Sequence, residues 1–154
     1  MAHDIIGCMG PLRLTLRLAI VLVATTTLTA GCTDAPASPT TNVPFSQTDL
    51  LVGIGADAIN GSTVTMNYTG WLYDASKADK KGLQFDSSVG RTAFSFTLGS
   101  GQVIKGWDQG IPGMRIGGRR RLVIPPSLAY GGTRIGLIPP NSTLMFDVEL
   151  LSIQ

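Results

Sequence analysis

The chain has 154 residues, which is enough for one folded domain and a short extension. Only 14 % of the residues are charged and the formal net charge is +2, so the composition argues against a large nucleic-acid surface or a strongly acidic partner. The 19 glycines and 9 prolines favour a β-rich fold with many turns over a helical bundle.

The first 31 residues have the pattern of an export signal. Arg13 and Arg17 lie just before an apolar run over 18–28. This run has the length of a signal-peptide core and is too short for a comfortable transmembrane helix. A buried helix of the domain is the alternative, but no cap follows the run. We therefore predict a signal peptide over 1–31, and a start at Met9 would give it a more ordinary length.

The residues before Cys32 resemble the lipobox of bacterial lipoproteins. Small residues precede the cysteine, although Thr29 stands where a large aliphatic residue is usual. The resemblance implies cleavage before Cys32 and membrane retention through a lipid alone, with simple cleavage as the alternative. Thr33, rather than Asp, after the cysteine favours the outer membrane, on the periplasmic side of the cell envelope. Cys8 lies in the removed part, so the mature domain has no thiol for a disulfide or a nucleophile.

A flexible tether and one folded domain follow. The segment 32–46 is rich in Pro, Thr and Ser and has no apolar period, which predicts a tether. The domain is predicted over 47–154, a size that can bury a modest single core.

Within the domain, alternating apolar residues predict four strands, at 64–68, 94–98, 121–124 and 144–151. A fifth, edge strand is predicted at 51–54. The charged stretch 74–82 is interpreted as a solvated loop.

One segment has helical periodicity. Its apolar residues share one helical face, with glycines before them and Pro112 after them: Val103, Ile104, Trp107 and Ile111. The elements together predict an α+β domain in which an antiparallel sheet packs against one short helix.

Several kinds of chemistry are excluded by what the chain lacks. The only histidine, His3, lies in the signal, so the mature chain has no histidine for a catalytic triad or a general base. Without pairs of His or Cys, a zinc site is not expected. The glycines at 99–106 do not have the spacing of a dinucleotide or phosphate loop. The basic run 119–121 would be split between the faces of a strand, which favours a solvated strand face over nucleic-acid binding.

Four blocks of sequence carry a family resemblance. They are VTMNYTG at 64–70, QFDSSVGR at 84–91, FSFTLGSGQVIKGWDQG at 94–110, and the segment 121–151 with IPPSLAYGG and IPPNSTLMFDVELL. In this order and spacing they resemble the FKBP-type peptidyl-prolyl cis/trans isomerases over essentially the whole domain. The resemblance implies a half-wrapped antiparallel β-sheet around one short α-helix.

The resemblance also implies an apolar pocket that isomerises X-Pro bonds without a metal or cofactor. Trp107 would form its floor, the Ile104 N–H and the Tyr130 hydroxyl would donate to substrate carbonyls, and Asp86 would hold Tyr68. The catalytic residues implied by the motifs are Tyr68, Phe85, Asp86, Phe94, Val103, Ile104, Trp107, Tyr130 and Phe146. Further substrate-binding residues are Arg91, Leu137 and Ile138, with Arg91 pairing with Asp86 or bracing Tyr68. Expected partners are Pro-containing clients and inhibitors of the macrolide immunosuppressant type.

The chain departs from the familiar eukaryotic members at two places. The segments 88–94 and 130–139 are each about one residue shorter, and the second holds Arg134, Ile135 and Leu137 but no histidine. The same loop is too short for the insert domain of the chaperone-type members, and the tether is too short for a dimerisation arm, so a monomer is expected. A binding module without catalysis and a non-enzymatic β-sandwich lipoprotein are the alternative hypotheses.

Overall fold

The computed structural model describes residues 43–154. The signal predicted over 1–31, the lipidation predicted at Cys32 and most of the tether predicted over 32–46 lie outside the described residues. No helix in the described part is long and apolar enough to cross a membrane.

An antiparallel sheet and one short helix form the fold. The strands are β1 (Ser46–Leu51), β2 (Thr63–Tyr73), β3 (Lys81–Ser87), β4 (Phe94–Thr97), β5 (Arg119–Ile124) and β6 (Leu144–Ile153). The helix is α1 (Lys105–Gly110), and a 3-10 turn covers Pro126–Leu128. The strand order is β1-β5-β6-β2-β3, and β4 also pairs with β2. The predicted α+β class, with a sheet around one helix, is confirmed.

The core lies between one face of the sheet and α1. Along β6, Leu144, Phe146, Val148 and Leu150 are all buried, as the alternating pattern requires for the face that turns to the core. Each such side chain contributes about 1.5–3 kcal/mol by leaving water. The core is therefore built mainly on the central strands.

The helix is shorter than its apolar pattern suggested. It begins at Lys105, so Val103 and Ile104 precede it instead of lying on its face, and the prediction was wrong there. Its close approach to β5 requires a glycine, because a Cβ at Gly106 would lie 2.4 Å from the side chain of Ile124. Ile104 is therefore extended directly before the helix, and both Val103 and Ile104 are available to line a site.

Two strands differ from the sequence-based expectation. β1 runs over Ser46–Leu51 at the sheet edge, earlier than the predicted 51–54, and Phe45 already packs against the core. The strand ends before Gly53, where a Cβ would lie 2.4 Å from the carbonyl oxygens of Arg115 and Ile116, so that only a glycine fits this close approach. The strand β3 was not predicted, because 81–87 has little alternation and is held by its pairing with β2.

The prediction of a solvated strand face for the basic run 119–121 is only partly correct. Its members do alternate between faces, but Arg120 is only 6 % exposed and is not solvated. Its guanidinium donates to the Asp49 carboxylate at 2.6 Å and to the carbonyls of Gly110 and Pro112 at 2.7 and 3.1 Å. Arg120 thus ties the end of α1 to the edge strand.

Candidate active site

A cavity of about 360 Å³ opens between β2, β3, β4 and the start of α1. It is lined by Tyr68, Phe85, Asp86, Phe94, Gln102, Val103, Ile104, Trp107, Tyr130 and Phe146. The structure thus brings together all nine residues that the motifs implied as catalytic, which stand up to 78 positions apart in the chain (146 − 68). Their catalytic roles stay predictions.

Trp107 forms the floor of the cavity and is 4 % exposed. Its ring meets Tyr68 at 5.2 Å and 75° and Phe146 at 5.3 Å and 85°, both edge to face. Such pairs hold aromatic rings in fixed relative orientations. The indole N–H is buried and has no hydrogen-bond partner among the described residues, so the site has a rigid and apolar floor.

A chain of polar side chains borders this apolar floor. The Tyr68 hydroxyl donates to Asp86 at 2.5 Å, and Arg91 donates to the other carboxylate oxygen at 2.7 Å. Burial, and then the hydrogen bond to Asp86, raise the pKa of Tyr68 to about 12. The hydrogen bond from Tyr68, helped by Arg91 against the effect of burial, lowers the pKa of Asp86. At neutral pH the carboxylate is therefore ionised and the phenol protonated.

Two further donors face the cavity. Ile104 has extended backbone angles, and none of the hydrogen bonds within 43–154 uses its N–H. The Ile104 carbonyl accepts a hydrogen bond from the backbone N–H of Trp107 at 2.9 Å, which fixes the peptide at the start of α1. Burial, and then the charge of Asp86, raise the pKa of Tyr130, so its hydroxyl keeps its proton. A substrate carbonyl could accept from either group.

The three residues predicted as further substrate contacts lie outside the main cavity. Arg91 reaches it only through Asp86. Leu137 and Ile138 line a neighbouring groove of about 240 Å³, which shares Phe85, Asp86 and Tyr130 with the cavity. Leu137 is 59 % exposed, whereas Ile138 is buried, so of these two residues Leu137 presents the accessible side chain.

Gln102 lines the cavity but was not predicted. Its side-chain oxygen accepts from the Thr97 N–H at 3.1 Å and closes the glycine-rich turn before α1. The sequence offered one signal for it, because Gln102 directly precedes Val103, which the motifs placed in the pocket. Within 43–154, no group of three or more His, Cys, Asp or Glu side chains could hold a metal ion.

Residues 55–151 match the family described as FKBP-type peptidyl-prolyl cis-trans isomerase. The "FK506-binding protein" of Neisseria meningitidis serogroup A is 48 % identical over 107 residues, which cover 68 % of this chain and 92 % of the relative. "FK506-binding protein 1" of Aspergillus oryzae is 48 % identical over 105 residues, which cover 66 % of this chain and 90 % of the relative.

Solved structures agree with these sequence matches. FkpA from Escherichia coli superposes with a TM-score of 0.61 and 41 % identity over 71 % of this chain, but over only 48 % of the FkpA chain. AtFKBP13 superposes with the same TM-score and identity over 71 % of this chain and 93 % of its own.

Proposed function

Since the chain belongs to the family of FKBP-type peptidyl-prolyl cis-trans isomerases, we propose that it binds X-Pro segments of exported proteins in the aromatic cavity and twists the prolyl bond there. The observation that carries this proposal is the convergence of four aromatic rings on Trp107 at the floor, beside an ionised carboxylate.

The reaction needs no covalent or proton-transfer step. Resonance in the peptide bond gives a rotation barrier of roughly 18–20 kcal/mol, and X-Pro bonds exchange over tens to hundreds of seconds without a catalyst. The twisted amide has lost resonance and charge separation, so an apolar pocket favours it relative to the planar amide that water solvates well. Trp107 would carry the pyrrolidine ring, with Phe94 and Phe146 beside it.

The polar groups would orient the substrate. The Ile104 N–H and the Tyr130 hydroxyl would donate to carbonyls on either side of the twisting bond. Asp86 would hold the Tyr68 ring in place and act electrostatically on the twisting carbonyl. The lowered pKa of Asp86 and the high pKa of Tyr68 support a role without proton exchange near neutral pH.

We further propose that the protein acts on the periplasmic side of the cell envelope as a monomer, anchored by lipid on Cys32. The lipobox-like sequence at 28–32 supports this proposal. Labelled palmitate should enter the full chain and should not enter a Cys32→Ala variant. Label in that variant would contradict lipidation at this cysteine.

The test of function is a prolyl isomerisation assay on the full chain, with a Leu-Pro peptide and an FK506-type inhibitor. We expect acceleration that the inhibitor abolishes. Asp86→Val and Trp107→Leu should each lower kcat/KM by at least about tenfold, which is about 1.4 kcal/mol in the barrier.

Matched controls lie on the same chain. Asp57→Val removes another exposed carboxylate that pairs with an arginine, and Trp71→Leu removes the other tryptophan; neither residue lines the cavity. Both controls should retain the parent activity. A folded chain that binds the inhibitor but gives no acceleration would instead support the binding-module hypothesis.

A further inference from the structure

Three side chains hold the turn between β4 and α1, and we call residues 97–102 the clamped turn. The Gln102 side-chain oxygen accepts from the Thr97 N–H at 3.1 Å, and the Ser100 hydroxyl donates to the Thr97 carbonyl at 2.7 Å. The Gly99 N–H donates to the Asp108 carboxylate of α1 at 2.9 Å. Because residues 99–102 are exposed, water could satisfy the same groups. These bonds therefore fix the shape of the turn.

Gln102 closes the clamped turn on the open edge of β4. Within 43–154, β4 pairs only with β2. The next residue, Leu98, directs its backbone toward the β2 side, since its N–H donates to the Ser62 carbonyl at 3.0 Å. The backbone groups of neighbouring residues alternate in direction, so those of Thr97 face the open edge. There the Gln102 oxygen takes the Thr97 N–H and ties the two ends of the turn together.

The clamped turn stands between two parts of the cavity. The strand before it carries Phe94, and the helix after it carries Trp107. Ile104 follows Gln102 by two positions (104 − 102), and its N–H is one of the donors proposed for the substrate. The Ile104 carbonyl is already held by the Trp107 N–H on the helix side. Gln102 supplies the corresponding restraint on the side of the strand.

We propose that Gln102 is a positioning residue for the isomerisation, in which its side-chain oxygen holds the clamped turn so that the Ile104 N–H meets the substrate carbonyl. This inference rests on the proposed function. The placement of a group that contacts substrate affects the rate strongly, since a misplacement of about 1 Å can cost roughly 100-fold. Loss of one neutral hydrogen bond in an exposed turn should cost less than that.

A direct contact of Gln102 with the client is the alternative, and the two roles use different atoms. The Thr97 N–H requires an oxygen as its acceptor, so the side-chain nitrogen of Gln102 is turned away from Thr97. None of the hydrogen bonds within 43–154 uses this nitrogen as a donor. Positioning therefore depends on the oxygen, whereas a direct donation to the client would depend on the nitrogen.

The test uses two substitutions at Gln102 in the full chain. Gln102→Glu keeps an oxygen that can accept from the Thr97 N–H and removes the nitrogen, whereas Gln102→Met keeps a side chain of similar length and removes both. The same two substitutions at Gln109 are the matched controls, since Gln109 is exposed on α1 and does not line the cavity. Circular dichroism verifies that each variant is folded at the assay temperature.

We expect Gln102→Met to lower kcat/KM toward a Leu-Pro peptide by about three- to tenfold. Gln102→Glu and both Gln109 variants should stay within about twofold of the parent. In NMR spectra of the nitrogen-labelled chain, saturating peptide should move the Ile104 amide proton downfield in the parent and in Gln102→Glu, and clearly less in Gln102→Met. A loss of stability alone would leave this shift unchanged in the folded protein.

Parent activity in Gln102→Met would overturn the inference, and so would equal losses in Gln102→Met and Gln102→Glu, which would assign the role to the side-chain nitrogen. An Ile104 amide proton that the peptide does not move in the parent would also overturn it. A parent that shows the shift but no acceleration would reject the proposed isomerase activity. The comparison of the shifts in the variants would then decide whether Gln102 positions Ile104.

Discussion

Tyr68 and Asp86 show how single residues of the pocket can fix a geometry without exchanging protons. Their hydrogen bond lowers the pKa of the carboxyl and contributes to the raised pKa of the phenol, so each keeps one protonation state across the neutral range. Arg91 adds a second contact to the carboxylate at 2.7 Å, but it is 64 % exposed and its contribution is screened by solvent. The pair therefore holds the Tyr68 ring in one orientation and keeps a fixed negative charge beside the cavity.

A flat pH profile follows from these protonation states. We expect kcat/KM of the full chain to change little between about pH 5 and pH 9. Because the folded-state pKa of Asp86 is lowered, the effect of its charge on activity and stability is present above the ordinary carboxyl pKa and is lost as the pH falls through the lowered value. An acid or basic limb within pH 5–9 that disappears in Asp86→Asn would show that Asp86 exchanges a proton during the reaction.

The strand β5 acts as the element that joins the helix to the sheet edge. Its Arg120 side chain crosses from the sheet to the carbonyls at the end of α1 and to Asp49 on β1. On the other face, Arg121 and Lys81 both bind Asp147 of β6, and the Lys81 ammonium lies 3.9 Å from the centre of the Trp71 ring. Adjacent arginines thus stabilise opposite faces of one sheet.

Replacement of Arg120 should destabilise the fold more than replacement of its neighbour. Arg120→Met keeps an apolar stem of similar length but leaves Asp49 and the Gly110 carbonyl without their partner. We expect the free energy of unfolding to fall by about 2–4 kcal/mol, measured by urea denaturation. Arg119→Met, on an exposed neighbour, should change it by no more than about 0.5 kcal/mol. Equal effects of the two variants would contradict the role given to Arg120.

At the scale of the whole molecule, the pocket and the core share residues. Trp107 and Phe146 are buried members of the hydrophobic core and also line the cavity. A ligand that rests on Trp107 therefore contacts the same cluster that holds the sheet and α1 together. The pocket cannot open or unfold without disturbing that cluster.

Ligand binding should consequently stabilise the entire domain. With an FK506-type ligand at about 100 times its Kd, the free energy of unfolding should rise by about 2.7 kcal/mol. The midpoint of thermal unfolding of the full chain should rise by the same amount whether it is followed by circular dichroism or by tryptophan fluorescence. Trp107→Leu should reduce the shift. Saturated binding without a shift of the circular dichroism midpoint would mean that the pocket unfolds separately from the sheet.

Much of this protein is determined by the sequence alone. The alternation along 144–151 records which face of β6 is buried, because neighbouring positions on a strand point to opposite faces. The apolar periodicities were sufficient to assign the α+β class, and the motifs with their spacing indicated the family and the nine residues that the fold brings together at the cavity. The signal and lipidation predictions over 1–32 stay predictions.

The tertiary structure alone decided features that depend on distant partners. The strand β3 exists because β2 pairs with it, and β1 begins at Ser46 because its register is set by β5. The helix starts only at Lys105, with Ile104 extended before it. Arg120 is buried because Asp49, 71 positions away, and the end of α1 supply acceptors that no local pattern could reveal. A buried charge requires such partners, and only the folded chain brings them together.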